Sequence, residues 1–151
     1  MDIVENIKSK LDEYPELAYE VREGGITIFA GDQAGFDVTL YRDDKEIVVF
    51  FDGWHEHFGA SDEEEALSCV AAGLSGHARI KATGRGGKDY KWSLYIFDPE
   101  TDEWIFSGTI MEFRLIKFWK KKHVRILRNP EISIDLKRWL NGGSSRCARE
   151  Q

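Results

Sequence analysis

The 151-residue chain has little of what identifies several protein classes at once. It contains only two cysteines and three prolines, so we expect neither a disulfide framework nor a proline-rich chain. The longest uninterrupted apolar run, Ile47–Phe51, is far shorter than a membrane-spanning helix requires. The N-terminal residues alternate charged with apolar side chains, which a secretory signal peptide does not do. We therefore expect a cytoplasmic protein with free thiols and no membrane span.

The composition is that of a folded globular domain. Apolar residues make up 42% of the chain and charged residues 32%, with a formal net charge of −6. The charge is uneven: residues 1–75 hold 18 acidic and 5 basic side chains, a net of −13, and residues 76–151 hold 9 acidic and 16 basic ones, a net of +7. Either one half attracts a charged partner, or the halves neutralise each other within one fold.

Hydrophobic periodicity predicts an α+β fold. Apolar residues at helical spacing predict two main helices, 2–14 and 62–74, the second opened by a capping box of Ser61 and Glu64. Period-two alternation elsewhere predicts a mostly antiparallel sheet of about eight strands, with both helices packed on one face. The run EIVVFFD predicts a central strand covered on both sides. We expect one domain over residues 1–140, with a short helix at 134–140, and a flexible C-terminal tail over 141–151.

The segment GWHEHF, which follows the EIVVFF run, is the chain's nearest approach to a chemical motif. Alternation on a strand places His55 and His57 on one face and Glu56 on the other, with Asp52 a few residues before them. Two imidazoles on one face can share a zinc ion, and these four residues are the candidate ligand or metal site. The spacing is not that of H-E-x-x-H, and no third ligand stands at a recognised distance. The alternatives are a proton-transfer pair, a pH-sensitive surface, or the polar end of a strand.

A basic segment, KFWKKKH, forms the second candidate site. Its residues are Lys117, Trp119, Lys120, Lys121, Lys122 and His123, with Phe118 between them. Aromatic rings beside cations can stack on single-stranded nucleic acid or lie at an anionic lipid surface. The alternative is a solvated turn between two strands, with Trp119 packed inward. Nucleic acid is not the expected partner, since the chain is acidic overall and phosphate binding usually takes more contacts.

Two further patterns bear on function. In TGRGGKDY, G-x-G-G-K is partly similar to a phosphate-binding loop, but alternating strands on both sides predict a tight hairpin at the two glycines. In the strand that follows, aromatic residues occur on both faces, so one set meets the core and the other meets solvent or a partner. Trp54, Trp104 and Trp119 are further candidates for such an exposed patch.

No nucleophile, paired-carboxylate or dinucleotide motif is found, so an enzyme is not the first expectation. In size, acidity and aromatic content the chain resembles small bacterial cytoplasmic proteins, including immunity proteins that block a toxin by binding it. The leading hypothesis is a protein-binding module, immunity- or adaptor-like, whose acidic half attracts a basic partner. The alternatives are a small ligand-binding protein or metal-assisted enzyme with a pocket near His55 and His57, and a nucleic-acid or lipid-surface binder using Lys117–His123. No cofactor other than zinc is suggested.

Overall fold

Two antiparallel sheets and two helices make up this computed structural model, which describes residues 2–112, 116–132, 134 and 139. The helices are α1 (Ile3–Leu11) and α2 (Glu63–Leu74). The strands are β1 (Tyr19–Arg22), β2 (Gly25–Ile28), β3 (Val38–Arg42), β4 (Glu46–Phe51), β5 (Trp54–Gly59), β6 (Ala78–Arg85), β7 (Lys88–Asp98), β8 (Glu103–Met111) and β9 (Lys122–Arg128). The predicted α+β arrangement is confirmed, with the strands divided between two sheets.

The five-stranded sheet is a meander in which β1 to β5 lie in chain order. Strands β2 to β5 bury alternate side chains: in β4, Ile47, Val49 and Phe51 are fully buried. The residues between them, Val48 and Phe50, are only half-buried, so β4 is not covered on both sides as its apolar run predicts. This sheet therefore has one face in the core and one face directed outward.

The four-stranded sheet has the order β8-β7-β6-β9, with all neighbours antiparallel. Strands β6 and β7 are joined by Gly86 and Gly87, whose φ angles are 61° and 83°. A two-residue hairpin of this kind needs positive φ at both positions, which glycine adopts at little steric cost. The predicted hairpin is confirmed. The segment leads from strand to strand, and not into a helix as a phosphate-binding loop would.

One hydrophobic core joins the two sheets. Helix α2 contacts β3, β4 and β5 of the first sheet and β6 of the second, and buried side chains of both helices belong to the same cluster. Buried Asn129, just after β9, links the segment before β3 to helix α2. Its amide nitrogen donates to the carbonyls of Phe36 (3.0 Å) and Gly73 (2.9 Å), and its carbonyl accepts from the Phe36 N–H (2.9 Å).

The helix boundaries differ from those predicted. Helix α1 ends at Leu11 rather than at residue 14, and α2 begins at Glu63. The predicted capping box is wrong: the N-cap residue is Asp62, and no side chain caps the helix there. The Asp62 carboxylate accepts a hydrogen bond from the Gly59 N–H (3.2 Å) instead, and so stabilises the turn that joins β5 to α2.

Some predictions lie beyond what the structure describes. Of the short helix predicted at 134–140 only Ile134 and Trp139 are described, and residues 141–151 lie outside the described ranges altogether. The packing of both helices on one face of a sheet also stays a prediction. Within the described part of the chain, neither helix has the length and apolar character that crossing a bilayer would require.

Candidate functional site

His55 and His57 lie side by side on β5 and point to the outward face of the five-stranded sheet. The residues that alternate with them, Trp54, Glu56 and Phe58, are buried. The two imidazole centroids are 5.2 Å apart in an edge-to-face arrangement. His57 Nδ1 is 2.8 Å from Glu46 Oε2 on the neighbouring strand, a hydrogen bond that the imidazole donates to the carboxylate. The histidine pair therefore occupies the outward sheet surface beside the Glu46 carboxylate.

The histidines continue a line of rings across three strands. The Phe50 ring is 5.4 Å from that of His55, and the Tyr41 ring is 6.2 Å from that of Phe50, nearly perpendicular to it. These four side chains, which we call the ring row, comprise Tyr41, Phe50, His55 and His57. Tyr41 is 41% exposed. Ring contacts of this spacing are favourable in themselves, so the row is an ordered feature of the surface.

The other two residues of the predicted GWHEHF site lie elsewhere. Glu56 is buried on the core side of β5, and Asp52 lies in the turn between β4 and β5, where its carboxylate accepts a hydrogen bond from Trp92 Nε1 (2.9 Å). Within residues 2–112, 116–132, 134 and 139, no three His, Cys, Asp or Glu side chains converge as a metal site requires. The four candidates are thus divided among three environments, and zinc binding stays a prediction.

Asp52 belongs to a polar cluster that connects the two sheets. Asp89 on β7 forms an ion pair with Arg125 and a hydrogen bond with His123 (Nε2 to Oδ1, 3.0 Å), both on β9, and Arg125 Nη2 is 3.8 Å from Asp52 Oδ2. Burial disfavours the charged form of Asp89, but the hydrogen bonds and charges of Arg125 and His123 outweigh it and lower the pKa of that carboxyl. The cluster therefore ties the β4–β5 turn to the four-stranded sheet through charges.

The predicted basic segment forms a loop that leads into β9. Lys122 and His123 are the first residues of that strand, and no strand includes the residues described between 116 and 121. The inward packing considered for Trp119 is wrong, since Phe118 is 70% exposed and Trp119 74% exposed. Trp104 is half-exposed and Trp54 is fully buried, so of the three tryptophans proposed for an exposed patch only Trp119 is mostly exposed.

The fold joins this loop to the hairpin tip more than thirty residues before it. Arg85 Nη1 donates to the carbonyls of Phe118 (3.2 Å) and Lys120 (3.1 Å), and the Gly86 N–H donates to the Lys121 carbonyl (3.3 Å). The result is a set of cations at one end of the four-stranded sheet. This basic end comprises Arg85, Lys88, Lys117, Lys120 and Lys121. A cavity of about 220 Å³ opens among the first four, with Tyr90 in its wall.

A second, larger groove of about 340 Å³ lies on the outer face of the same sheet. Tyr90 lines this groove too, so the two cavities adjoin. The groove is lined by three lysines, by rings and by hydroxyls, among them Lys81, Lys91, Lys122, Tyr95, Phe106, Ser93 and Thr109. No carboxylate lines it among the described residues, and none of its lysines forms a salt bridge with a described side chain.

The comparisons with known proteins add no relative. No protein-family model, curated protein or solved structure matches this chain. A functional assignment therefore depends on the two outward sheet faces.

The groove was not predictable from clusters of residues along the chain, because its lining residues come from four different strands. Lys81 and Lys91 lie on different strands, and their register partners, Ser93 and Met111, are 12 and 20 residues away from them in sequence. A usable signal was present in β7, where Lys91, Ser93, Tyr95 and Phe97 alternate with core residues. That alternation identifies a polar and aromatic face, but only the strand order β8-β7-β6-β9 shows which cations of the other strands lie on it.

Proposed function

We propose that the protein is a non-enzymatic module that binds a basic partner protein in the cytoplasm, in the manner of an immunity or adaptor protein. The ring row is the centre of the proposed surface. Exposed aromatic side chains at the middle of a surface patch are the usual anchors of protein interfaces. Tyr41 and its neighbours offer rings held in place by mutual contacts, which reduces the conformational entropy lost on binding.

The charge around the row supports a basic partner. Residues 1–75, which include the whole five-stranded sheet, have a net charge of −13. Asp43 and Asp44 are exposed in the β3–β4 turn, and Glu46 is half-exposed beside His57. Carboxylates at the rim of an interface accelerate association with a positively charged protein, and the effect weakens as salt rises.

The test is recovery and titration of the partner. Immobilised wild-type protein and a Tyr41→Ala variant are compared for the proteins that they retain from a lysate of the source cells, and a retained protein is then titrated by calorimetry. Loss of a central aromatic anchor costs about 2 kcal/mol, or roughly 30-fold in affinity. The matched control is Phe106→Ala, which removes a ring of similar exposure from the other sheet, at 56% against 41%.

The charge component is measured separately. A variant with Asp43→Asn, Asp44→Asn and Glu46→Gln should associate more slowly and lose most of the salt dependence of its association rate, with a smaller change in dissociation. A partner that Tyr41→Ala and Phe106→Ala retain equally would contradict the proposed surface. An association rate that does not change with ionic strength would contradict the role of the carboxylates.

A further inference from the structure

The groove and the basic end together have the composition of a polyanion site. Three lysines line the groove, and Arg85, Lys88, Lys117 and Lys120 line the adjoining cavity. The sole carboxylate in either lining is that of Asp89, among the residues that the structure describes. Its charge is already engaged by Arg125 and His123. Seven cations thus line two neighbouring cavities with little local neutralisation, although the chain as a whole is acidic.

Rings and hydroxyls lie among these cations. In the groove, the Tyr95 and Phe106 rings are 5.6 Å apart in an edge-to-face arrangement. Ser93 Oγ and Thr109 Oγ1 are hydrogen-bonded at 2.9 Å across the same two strands, β7 and β8. Phe106 is exposed, so a planar ligand can reach its ring. Unpaired bases stack on such rings, and lysines beside them bind the phosphates.

From this combination we propose that the outer face of the four-stranded sheet binds single-stranded nucleic acid, with phosphates along the lysines and bases on the rings. A duplex keeps its bases stacked inside and would leave Tyr95 and Phe106 unused. A lipid surface is accessible to Phe118 and Trp119 on the loop, but a flat bilayer does not enter a groove. This proposal is independent of the partner protein proposed for the ring row, since the two surfaces belong to different sheets.

The primary experiment is fluorescence anisotropy with labelled 12-nucleotide oligouridine and oligothymidine, titrated with the protein at several salt concentrations. The variant neutralises the groove by Lys81→Gln, Lys91→Gln and Lys122→Gln. Each lost phosphate contact lowers the salt slope by about 0.7, so the slope should fall by about 2 and affinity at 0.1 M salt by about 100-fold. The matched control neutralises three cations of the acidic half, Lys8→Gln, Lys10→Gln and Lys45→Gln, and should bind normally.

Stacking is tested at Phe106. Phe106→Ala should weaken oligonucleotide binding about tenfold, and Phe106→Tyr should restore it, because a ring of either type can stack on a base. Phe29→Ala, which removes a 39% exposed ring outside both proposed surfaces, serves here as the unaffected control. Comparing the ribose and deoxyribose oligomers shows which nucleic acid is preferred.

Three results would overturn the proposal. The first is no saturable binding of either oligomer at 50 mM salt by a protein that remains folded. The second is equal weakening by the groove variant and by its control, which would indicate a general charge effect. The third is binding only to duplexes or to vesicles containing phosphatidylserine, with loss on Phe118→Ala and Trp119→Ala but not on neutralising the groove, which would assign the cations to a different polyanion.

Discussion

Replacing Asn129 with alanine tests how the two halves of the fold are held together. The Asn129 side chain is buried and makes three hydrogen bonds, two with the backbone of Phe36 and one with the carbonyl of Gly73 at the end of α2. Alanine removes all three and offers no replacement. One backbone N–H and two carbonyls then lose their side-chain partner in a region shielded from water.

The expected loss follows from these contacts. A hydrogen bond contributes a net of about 1 kcal/mol, and a buried polar group left without a partner costs more than a bond that is simply absent. Three bonds give a loss of about 3 kcal/mol in the free energy of unfolding. For a chain of this size each kcal/mol lowers Tm by roughly 2–4 °C, so Tm should fall by about 6–12 °C.

The assay is urea unfolding followed by tryptophan fluorescence, with the m-value compared between variants. Gln33→Ala, an exposed amide in the loop before Phe36, is the matched control and should change stability little. Asn129→Asp should lower the free energy of unfolding more than Asn129→Ala does. Aspartate can still accept the hydrogen bond from the Phe36 N–H, but its carboxylate would repel the carbonyl oxygens of Phe36 and Gly73. A loss below about 1 kcal/mol for Asn129→Ala would refute the reasoning.

Two further substitutions probe the junction between the sheets. Asp89→Asn should lower stability by about 1–3 kcal/mol at neutral pH. Because the pKa of Asp89 is lowered in the folded state, its contribution is complete above the ordinary aspartate pKa and is lost as pH falls through the folded value. The gap between wild type and variant should therefore narrow as the pH falls below about 4; a gap that widens below that pH would contradict this sign. Gly53→Ala should lower the free energy of unfolding by about 1–3 kcal/mol, since a Cβ there would overlap the Trp92 ring, whereas Gly31→Ala, whose Cβ would have its nearest neighbour at 3.9 Å, should be almost neutral. Equal Tm values for the two alanine variants in a thermal melt would contradict this prediction, since they would mean that the Trp92 ring moves aside without a loss of stability.

Local sequence patterns predicted the helices and strands well where the residue types allow few backbone conformations. The Gly86–Gly87 hairpin was predictable because positive φ at both positions is strongly disfavoured for other residues. The position of α2 followed from its apolar stripe. The helix start was misjudged because Ser61 and Asp62 are both good N-cap residues, and the contact of Asp62 with Gly59 depends on the turn after β5.

The candidate sites were only partly predictable, because some of their contacts depend on how the strands pair. Alternation correctly placed His55 and His57 on one face, because the side-chain period of a strand is fixed by the backbone. It could not show that Glu46 of β4 is the carboxylate beside His57, since the strand register decides that contact. Nor could it show whether Trp119 would be packed inward or exposed, because that depends on which other parts of the fold the loop contacts.

The sequence by itself determined the α+β class, the alternation of buried and outward side chains, and the opposite charges of the two halves, because these are properties of short segments or of composition. Only the tertiary structure decided that the strands divide into two sheets and that Arg85 meets the Lys117–Lys121 loop. It also decided that Lys81, Lys91 and Lys122 line one groove. These outcomes depend on contacts between residues distant along the chain, and the energy of such contacts cannot be read from either partner alone.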